Sequence, residues 1–236
     1  MIEAVLPAAV ACEAAYDDPG PGPGELMYPQ ETERVARAVP KRQREFTTVR
    51  LLARRALLRI GQPPVPLLPG PRGAPRWPDG IVGSMTHCDG YRAAAVARAD
   101  GTASVGIDAE PDAPLPDGVL DLIGLPDETE RIKFLTEQHP GTSWDRMLFS
   151  AKESVFKVWY PLTGIELDFS EARIDIDPVE RTFRAELLVP GPLVGGRRVG
   201  EFPGRWIAGR GLVVTAIHLP APQEIRETPE TPEIPT

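Results

Sequence analysis

The sequence predicts an α+β protein whose sheets are mostly antiparallel and whose chain falls into two similar halves. Three observations carry this expectation. Helix-like and strand-like stretches follow as helices, strands, helices, strands rather than in strict alternation. An Asp89-Gly90 pair between two apolar runs marks a tight hairpin, which pairs its strands antiparallel. Proline and glycine are clustered, so they punctuate the elements instead of interrupting them.

The elements read in order. Residues 17–24, DDPGPGPG, form a turn-rich surface segment. Residues 31–39 read as a short helix ended by Pro40, and 41–60 as a longer one. In the second, Phe46, Val49, Ala53, Leu57 and Ile60 recur at i+3 and i+4 spacing, and Gly61 takes the position just past the helix end. Segment 61–80 holds seven prolines and four glycines, which excludes helix and central strand. Strands at 81–88 and 91–97 flank the hairpin, and 103–110 is a third. Residues 127–138 read as a helix. Thr142 or Ser143 then caps a helix from Trp144 to about Tyr160, with Pro161 as its stop. Strands follow near 165–176, 182–189 and 204–219, the last a hairpin turning at Gly209-Arg210-Gly211. The tail, 221–236, carries four prolines, four glutamates and one arginine, a composition expected to be disordered.

Length and charge bound the function. The 236 residues allow one domain or two at roughly 100–200 residues each. With 26 Lys and Arg against 34 Asp and Glu, the net charge of -8 excludes a global basic field for nucleic acid but not a local basic pocket. Cys12 and Cys88 make neither a disulfide framework nor a Cys-rich zinc site. No Lys or Arg precedes Arg34, so the apolar N-terminus lacks the basic region of a secretory signal. No apolar run approaches the roughly 18 residues of a membrane helix. The expected setting is the cytoplasm.

Four places carry chemistry. In VGIDAE at 105–110, period-two alternation puts Asp108 and Glu110 side by side on one face. Two such acids suit a hard cation such as Mg²⁺, though a solvent-facing strand with ordinary acids gives the same pattern. On the helix from Trp144, the apolar stripe holds Trp144, Met147, Leu148, Ala151, Val155, Val158 and Trp159, and Glu153 falls nearly opposite, near Phe149 and Lys157. That pair lines a site or is a solvated i,i+4 pair. On helix 41–60, Arg42 points into the apolar face and Arg50 to its edge, which calls for an anionic partner, a phosphate or an internal acid. Arg44, Arg54, Arg55 and Arg59 read as surface charge. His87, beside Thr86 at a strand end, is a hydrogen-bond donor to phosphate, a base, a metal ligand or a structural residue; Cys88 reads as packing. No GxGxxG, GxxxxGK[ST] or GxSxG pattern occurs.

SMTH at 84–87, VGIDAE at 105–110 and FSAKESVFK at 149–157, in that order and spacing, resemble the Sfp-type 4′-phosphopantetheinyl transferases. KRQREFTTVRLLARRAL at 41–57 and WDRMLFSAKESVFKVWYPLTG at 144–164 are similar to the branch of enterobactin synthetase component D and the actinobacterial type II enzymes. The resemblance implies a sandwich-like, pseudo-twofold pair of halves, 1–110 and 111–220, with coenzyme A in the cleft between them. It implies transfer of the phosphopantetheine arm to a serine of an apo acyl or peptidyl carrier protein, releasing 3′,5′-ADP. The pathways served would be fatty acid, polyketide, nonribosomal peptide or siderophore biosynthesis. A monomer is expected.

The residue roles follow from the same resemblance. Asp108, Glu110 and Glu153 would hold Mg²⁺, or Mn²⁺, against the coenzyme A pyrophosphate. Glu153 would be the general base, with Lys157 and Asp108 completing the catalytic set. Lys152 would give a second phosphate contact. Arg42, Arg50, His87 and Thr86 would grip the 3′-phosphate, with Gly70, Arg72 and Leu167 also lining the coenzyme A site. One departure stands out. Similar proteins place a basic residue in the G-x-P step, here Gly73-Ala74-Pro75, or a lysine nearer 69, here proline, so Arg72 or Arg76 would supply the charge. Two other classes fit the same acids: a Mg²⁺-dependent phosphohydrolase of a small diphosphate, and a non-catalytic carrier-protein-binding module. For the carrier surface, the segment after Trp159 and the loop 111–126 are the candidates.

Overall fold

A computed structural model describes residues 1–25 and 27–222. Its helices are α1 (Pro29–Val35), α2 (Pro40–Arg59), α3 (Val119–Ile123), α4 (Pro126–Gln138) and α5 (Trp144–Thr163). Its strands are β1 (Ala11–Ala15), β2 (Ile81–Cys88), β3 (Tyr91–Arg98), β4 (Thr102–Pro111), β5 (Ala172–Asp177), β6 (Thr182–Leu187), β7 (Leu193–Val194), β8 (Arg197–Arg198), β9 (Glu201–Gly209) and β10 (Leu212–Pro220). One sheet has the order β1-β3-β2 and a second β4-β10-β9-β6-β5, while β7 and β8 form a small ribbon. Every strand pairing among the described residues is antiparallel, in keeping with the mostly antiparallel α+β expectation.

The two large sheets adjoin at their edge strands β2 and β4 and share one buried cluster. Tyr91, Ala93, Ala95 and Ala97 of β3 meet Val105, Ile107 and Ala109 of β4 and Val214 and Ala216 of β10 in one buried cluster. The alanines of β3 keep this layer thin and leave its other face, Ala94 and Val96, to α2 through Leu52, Ala53, Ala56 and Leu57. On the far side of the second sheet, Met147, Leu148, Ala151, Val155 and Val158 of α5 pack on Ile174, Phe183, Phe202 and Ile217. The periodic apolar residues of α2 and α5 thus cover one face of the first and of the second sheet respectively.

The sheets are also joined along one seam. Ser84 Oγ of β2 accepts from Ile107 N at 3.1 Å, and Thr86 Oγ1 accepts from Ala109 N at 3.1 Å. Side-chain hydroxyls replace a main-chain ladder there. β4 itself is hydrogen-bonded to β10, so the strand carrying Asp108 and Glu110 is the edge of the second sheet.

Several boundaries differ from the sequence reading. Pro40 does not close a helix over 31–39; it opens α2 at its first turn, where its missing N–H costs no bond, and α1 ends at Val35. Pro161 lies inside α5, which runs on to Gly164 in the left-handed conformation at φ 68°. In the last turn a proline forfeits a single i to i−4 bond, and the Gly164 N–H still reaches Tyr160 O at 2.8 Å. The strand expected from 165 begins at Ala172, after a turn of 3-10 helix at Phe169–Glu171. Strand β1 carried too little alternation to be seen. Gly61 and Gly90 have φ +75° and +76°, as the helix end and hairpin required. The tail from residue 223 lies outside the described residues.

Candidate active site

The site is built where β4, β2 and α5 meet. Gly106 is the reason they meet closely. A Cβ there would stand 2.2 Å from Ser154 O and 2.7 Å from Val158 Cγ2, so only glycine lets α5 lie directly on β4. Beneath α5, Ser150, Ser154 and Thr215 satisfy one another, with Ser154 Oγ 2.7 Å and Ser150 Oγ 2.9 Å from Thr215 Oγ1. Small, hydrogen-bonded residues thereby seat the helix on the strand.

Asp108 sits at the centre and is buried. Its Oδ1 accepts from Lys157 Nζ at 2.6 Å and from Thr86 Oγ1 at 3.3 Å, while its buried Oδ2 has no partner among the described residues. Lys157 Nζ also donates to Ile107 O at 3.1 Å. Glu110, two residues on, accepts at Oε2 from Arg146 Nη1 at 3.2 Å. Burial, reinforced by the charge of Asp108, pushes the Glu110 carboxyl up to about 7. Burial also raises the Glu153 carboxyl; Lys157 opposes that rise and Asp108 adds to it.

The expected metal ligands are not gathered into a ready-made cluster. Among the described residues no three His, Cys, Asp or Glu side chains stand close enough together to hold an ion. In this arrangement Lys157 pairs with Asp108, and Arg146 with one oxygen of Glu110. The donor set still fits a hard cation. It is all carboxylate, one buried oxygen is orphaned, and the Asp108 charge acts on both glutamates.

A second cluster lies at the start of α2. Arg42 is exposed, not turned into the apolar face as expected; its Nη1 contacts His87 Nε2 and lies 3.9 Å from Glu45 Oε2. Arg50 is the buried arginine, donating to Leu67 O at 2.8 Å and Phe46 O at 3.2 Å, with its guanidinium over the Phe46 ring. Among the described residues it has no carboxylate partner, and burial lowers it to about 10. Arg54, expected at the surface, is buried and bound to Glu31 through both carboxylate oxygens at 2.8 and 3.0 Å. Partial burial and the Arg42 charge lower His87, whose side chain is 37% exposed, to about 4, so it is neutral near pH 7.

Lys152 is tied elsewhere than the phosphate contact expected of it. Its Nζ pairs with Glu128 at 2.8 Å and donates to Phe169 O at 2.7 Å and Ala172 O at 2.8 Å, which uses its three hydrogens. Glu128 in turn accepts from Ile174 N at 2.6 Å. The pair closes the free edge of β5 and anchors α5 to it. Beside this anchor lies a cavity of about 430 Å³ lined by Glu153, Val155, Phe156, Glu166, Leu167 and Phe169. Leu167 and Glu153 line the same cavity. Arg72, left-handed at φ 54°, pairs with Glu166 on the rim of that cavity. Gly70 N–H donates to Ala74 O at 2.7 Å, turning the loop back on itself.

Two residues were missed in the sequence. Gly106 interrupts a strand interior, a known mark of close backbone approach. Arg146 stands in the first turn of α5, where the helix dipole disfavours a cation, so it needs an acidic partner.

Residues 30–97 match the family model described as the 4′-phosphopantetheinyl transferase N-terminal domain, and residues 104–192 that of the 4′-phosphopantetheinyl transferase superfamily. The chain is 62% identical over 222 residues to 4′-phosphopantetheinyl transferase Svp of Streptomyces mobaraensis, covering 94% of this chain and 90% of that protein. It is 46% identical over 227 residues to 4′-phosphopantetheinyl transferase PptT of Mycobacterium tuberculosis, covering 93% and 98%. Against enterobactin synthase component D of Salmonella typhi the identity is 30% over 135 residues, 57% of this chain and 56% of that one. No helix among the described residues is long and apolar enough to cross a membrane.

Proposed function

The chain belongs to the 4′-phosphopantetheinyl transferases, and from that membership we propose how its residues carry out the transfer. The enzyme moves the phosphopantetheine arm of coenzyme A to a carrier-protein serine and releases 3′,5′-ADP. Neither a diphosphate hydrolase nor a non-catalytic binding module is favoured beside relatives of this identity.

Coenzyme A lies in a cleft between two halves related by a pseudo-twofold axis. Support comes from the repeated unit of a 20-residue helix, α2 or α5, on an antiparallel sheet. Arg42, Arg50, Thr86 and His87 hold the 3′-phosphate; the uncompensated charge of Arg50 beside exposed Arg42 favours an anion there. The cavity beside Glu153, with Val155, Phe156, Leu167 and Phe169 in its otherwise mostly charged wall, takes the pantetheine arm. One chain supplies every residue of this site, which is the ground for a monomer.

Asp108, Glu110 and Glu153 would hold Mg²⁺, or Mn²⁺; the ion, when bound, neutralises the pyrophosphate and the charge it develops. Glu153 takes the proton of the serine hydroxyl, directly or through one water, and its raised carboxyl is suited to accept it. The serine oxygen bonds the phosphorus of the phosphopantetheine arm as the bond to 3′,5′-ADP breaks. Lys157 faces the leaving oxygen, stabilises its charge and can deliver a proton to it. The single observation carrying this reading is the buried, orphaned Oδ2 of Asp108 beside two glutamates with raised carboxyls. The test is intact-mass analysis of a panel of fatty acid, polyketide and peptide apo carriers with coenzyme A and Mg²⁺. One added phosphopantetheine is expected with wild type and almost none with Glu153→Gln, which still binds coenzyme A. Wild-type turnover in that variant removes Glu153 as base.

A further inference from the structure

Arg146 occupies a place that the catalytic assignment leaves unused. It projects from the first turn of α5, two turns before Glu153, and its side chain is only 17% exposed. One guanidinium holds three acceptors: Nε donates to Ala113 O at 3.0 Å, Nη2 to Pro114 O at 3.1 Å, and Nη1 to Glu110 Oε2 at 3.2 Å. The same junction is closed by Leu115 N donating to Asp145 Oδ2 at 2.8 Å and Ser143 N to Asp112 Oδ1 at 2.7 Å. The end of β4 is thereby stitched to the start of α5. Among these contacts, that of Arg146 alone reaches a carboxylate of the catalytic set.

We propose that Arg146 is a positioning residue that aims Glu110 at the metal site through its fork to Ala113, Pro114 and Glu110. This rests on the metal reading given above. The bond takes Oε2 and leaves Oε1 available to an ion. The planar, rigid fork fixes the carboxylate against the loop, so Glu110 is oriented before an ion arrives. A lysine in its place keeps a charge but cannot span all three acceptors. The arginine also offsets the repulsion between Asp108 and Glu110 while no ion is bound, a role that Lys157 plays on the other side.

The experiment is Mn²⁺ binding without coenzyme A, read from the electron paramagnetic resonance signal of the free ion. It uses wild type, Arg146→Gln, Arg146→Lys, Glu110→Gln and the Glu110→Gln/Arg146→Gln pair, each checked by thermal unfolding. Arg146→Gln is expected to weaken Mn²⁺ by about tenfold or more, and Arg146→Lys by less. In the Glu110→Gln background, Arg146→Gln is expected to add less than about twofold, since its effect runs through Glu110. Wild-type or tighter Mn²⁺ binding by Arg146→Gln overturns the proposal, as does an equal loss in both backgrounds. If Arg146→Gln does not fold, Arg146→Lys decides, and wild-type affinity there overturns it. Asp108→Asn, Glu110→Gln and Glu153→Gln that all bind like wild type would sink the metal reading itself, and the proposal with it. Losses in those three with none in Arg146→Gln would sink only the proposal.

Discussion

Gly106→Ala probes the distance between the strand that carries the acids and the helix that carries Glu153 and Lys157. The added methyl would stand 2.2 Å from Ser154 O, 2.7 Å from Val158 Cγ2 and 3.1 Å from Val158 N. A relaxed carbon–oxygen contact is roughly 3.3 Å, so α5 must retreat by about 1 Å. Overpacking of this kind costs about 1–3 kcal/mol, and the upper end applies because the nearest obstacle is main chain. A displacement of about 1 Å between reacting groups can lower turnover by about a hundredfold. The assay pairs thermal unfolding with the rate of phosphopantetheine transfer by intact mass, below the variant's melting temperature. Coenzyme A affinity should change little, because Arg42 and Arg50 lie on α2. Adding Val158→Ala removes only the 2.7 Å side-chain contact and should rescue little. A Gly106→Ala enzyme with near-wild-type turnover, or full rescue by Val158→Ala, would show that this close approach does not set the site.

Other substitutions separate roles that the structure keeps apart. Arg42→Ala should weaken coenzyme A by about tenfold, barely affect binding of 3′-dephospho-coenzyme A, and leave stability within about 0.5 kcal/mol, because Arg42 is exposed; calorimetric titration with both ligands checks it. Arg50→Ala should lose both affinity and stability, since its guanidinium binds Leu67 O and Phe46 O inside the core; unchanged unfolding would contradict that. Lys152→Met strands a buried Glu128 and should destabilise by about 3–5 kcal/mol, with Lys152→Met/Glu128→Gln recovering part; a stable Lys152→Met that merely binds coenzyme A poorly would instead restore Lys152 as a phosphate contact. His87 is lowered to about 4 from 6.5 by burial and Arg42, so the folded state binds fewer protons than the unfolded one in that window. Its contribution is present above about pH 6.5 and is lost as pH falls toward 4. His87→Gln should therefore lose less melting temperature than wild type between pH 7 and 5, and an identical slope would exclude His87 as the source.

How much was legible follows from what each signal measures. Period-two alternation placed Asp108 and Glu110 on one face of β4, and periodicity near 3.6 placed the apolar stripe of α5 away from Glu153, because both depend only on backbone geometry. The fate of individual cations did not follow. Arg42 and Arg54 exchanged their expected places, since α2 is covered on more than one side and Glu31 of α1 reaches over to Arg54. Lys152 was read toward a phosphate, yet Glu128 and two carbonyls from elements distant in sequence claim it. Both cases turn on long-range partners that no local spacing encodes. Pro161 misled for a local reason: a proline in a final turn loses one bond, which the glycine cap after it makes tolerable.

The pairing of acids with cations also accounts for the sign of the site. Each strand acid faces a cation from α5, Asp108 with Lys157 and Glu110 with Arg146, on either side of Glu153. Glu153, between them, makes no hydrogen bond among the described residues, and its carboxyl is raised by burial. One helix therefore brings a carboxylate and two counter-charges to one strand in fixed register. The strand is held in place from its other side by the Ser84 and Thr86 hydroxyls of β2. Thr86 touches both Ala109 N and Asp108, so a shift of the first sheet moves the central acid as well. The residues proposed for the 3′-phosphate lie on α2 and β2, and the acids on β4. A seam of two hydroxyls thus connects the strand carrying His87 and Thr86 with the strand carrying the acids. That arrangement ties the two sheets together through side chains rather than a main-chain ladder.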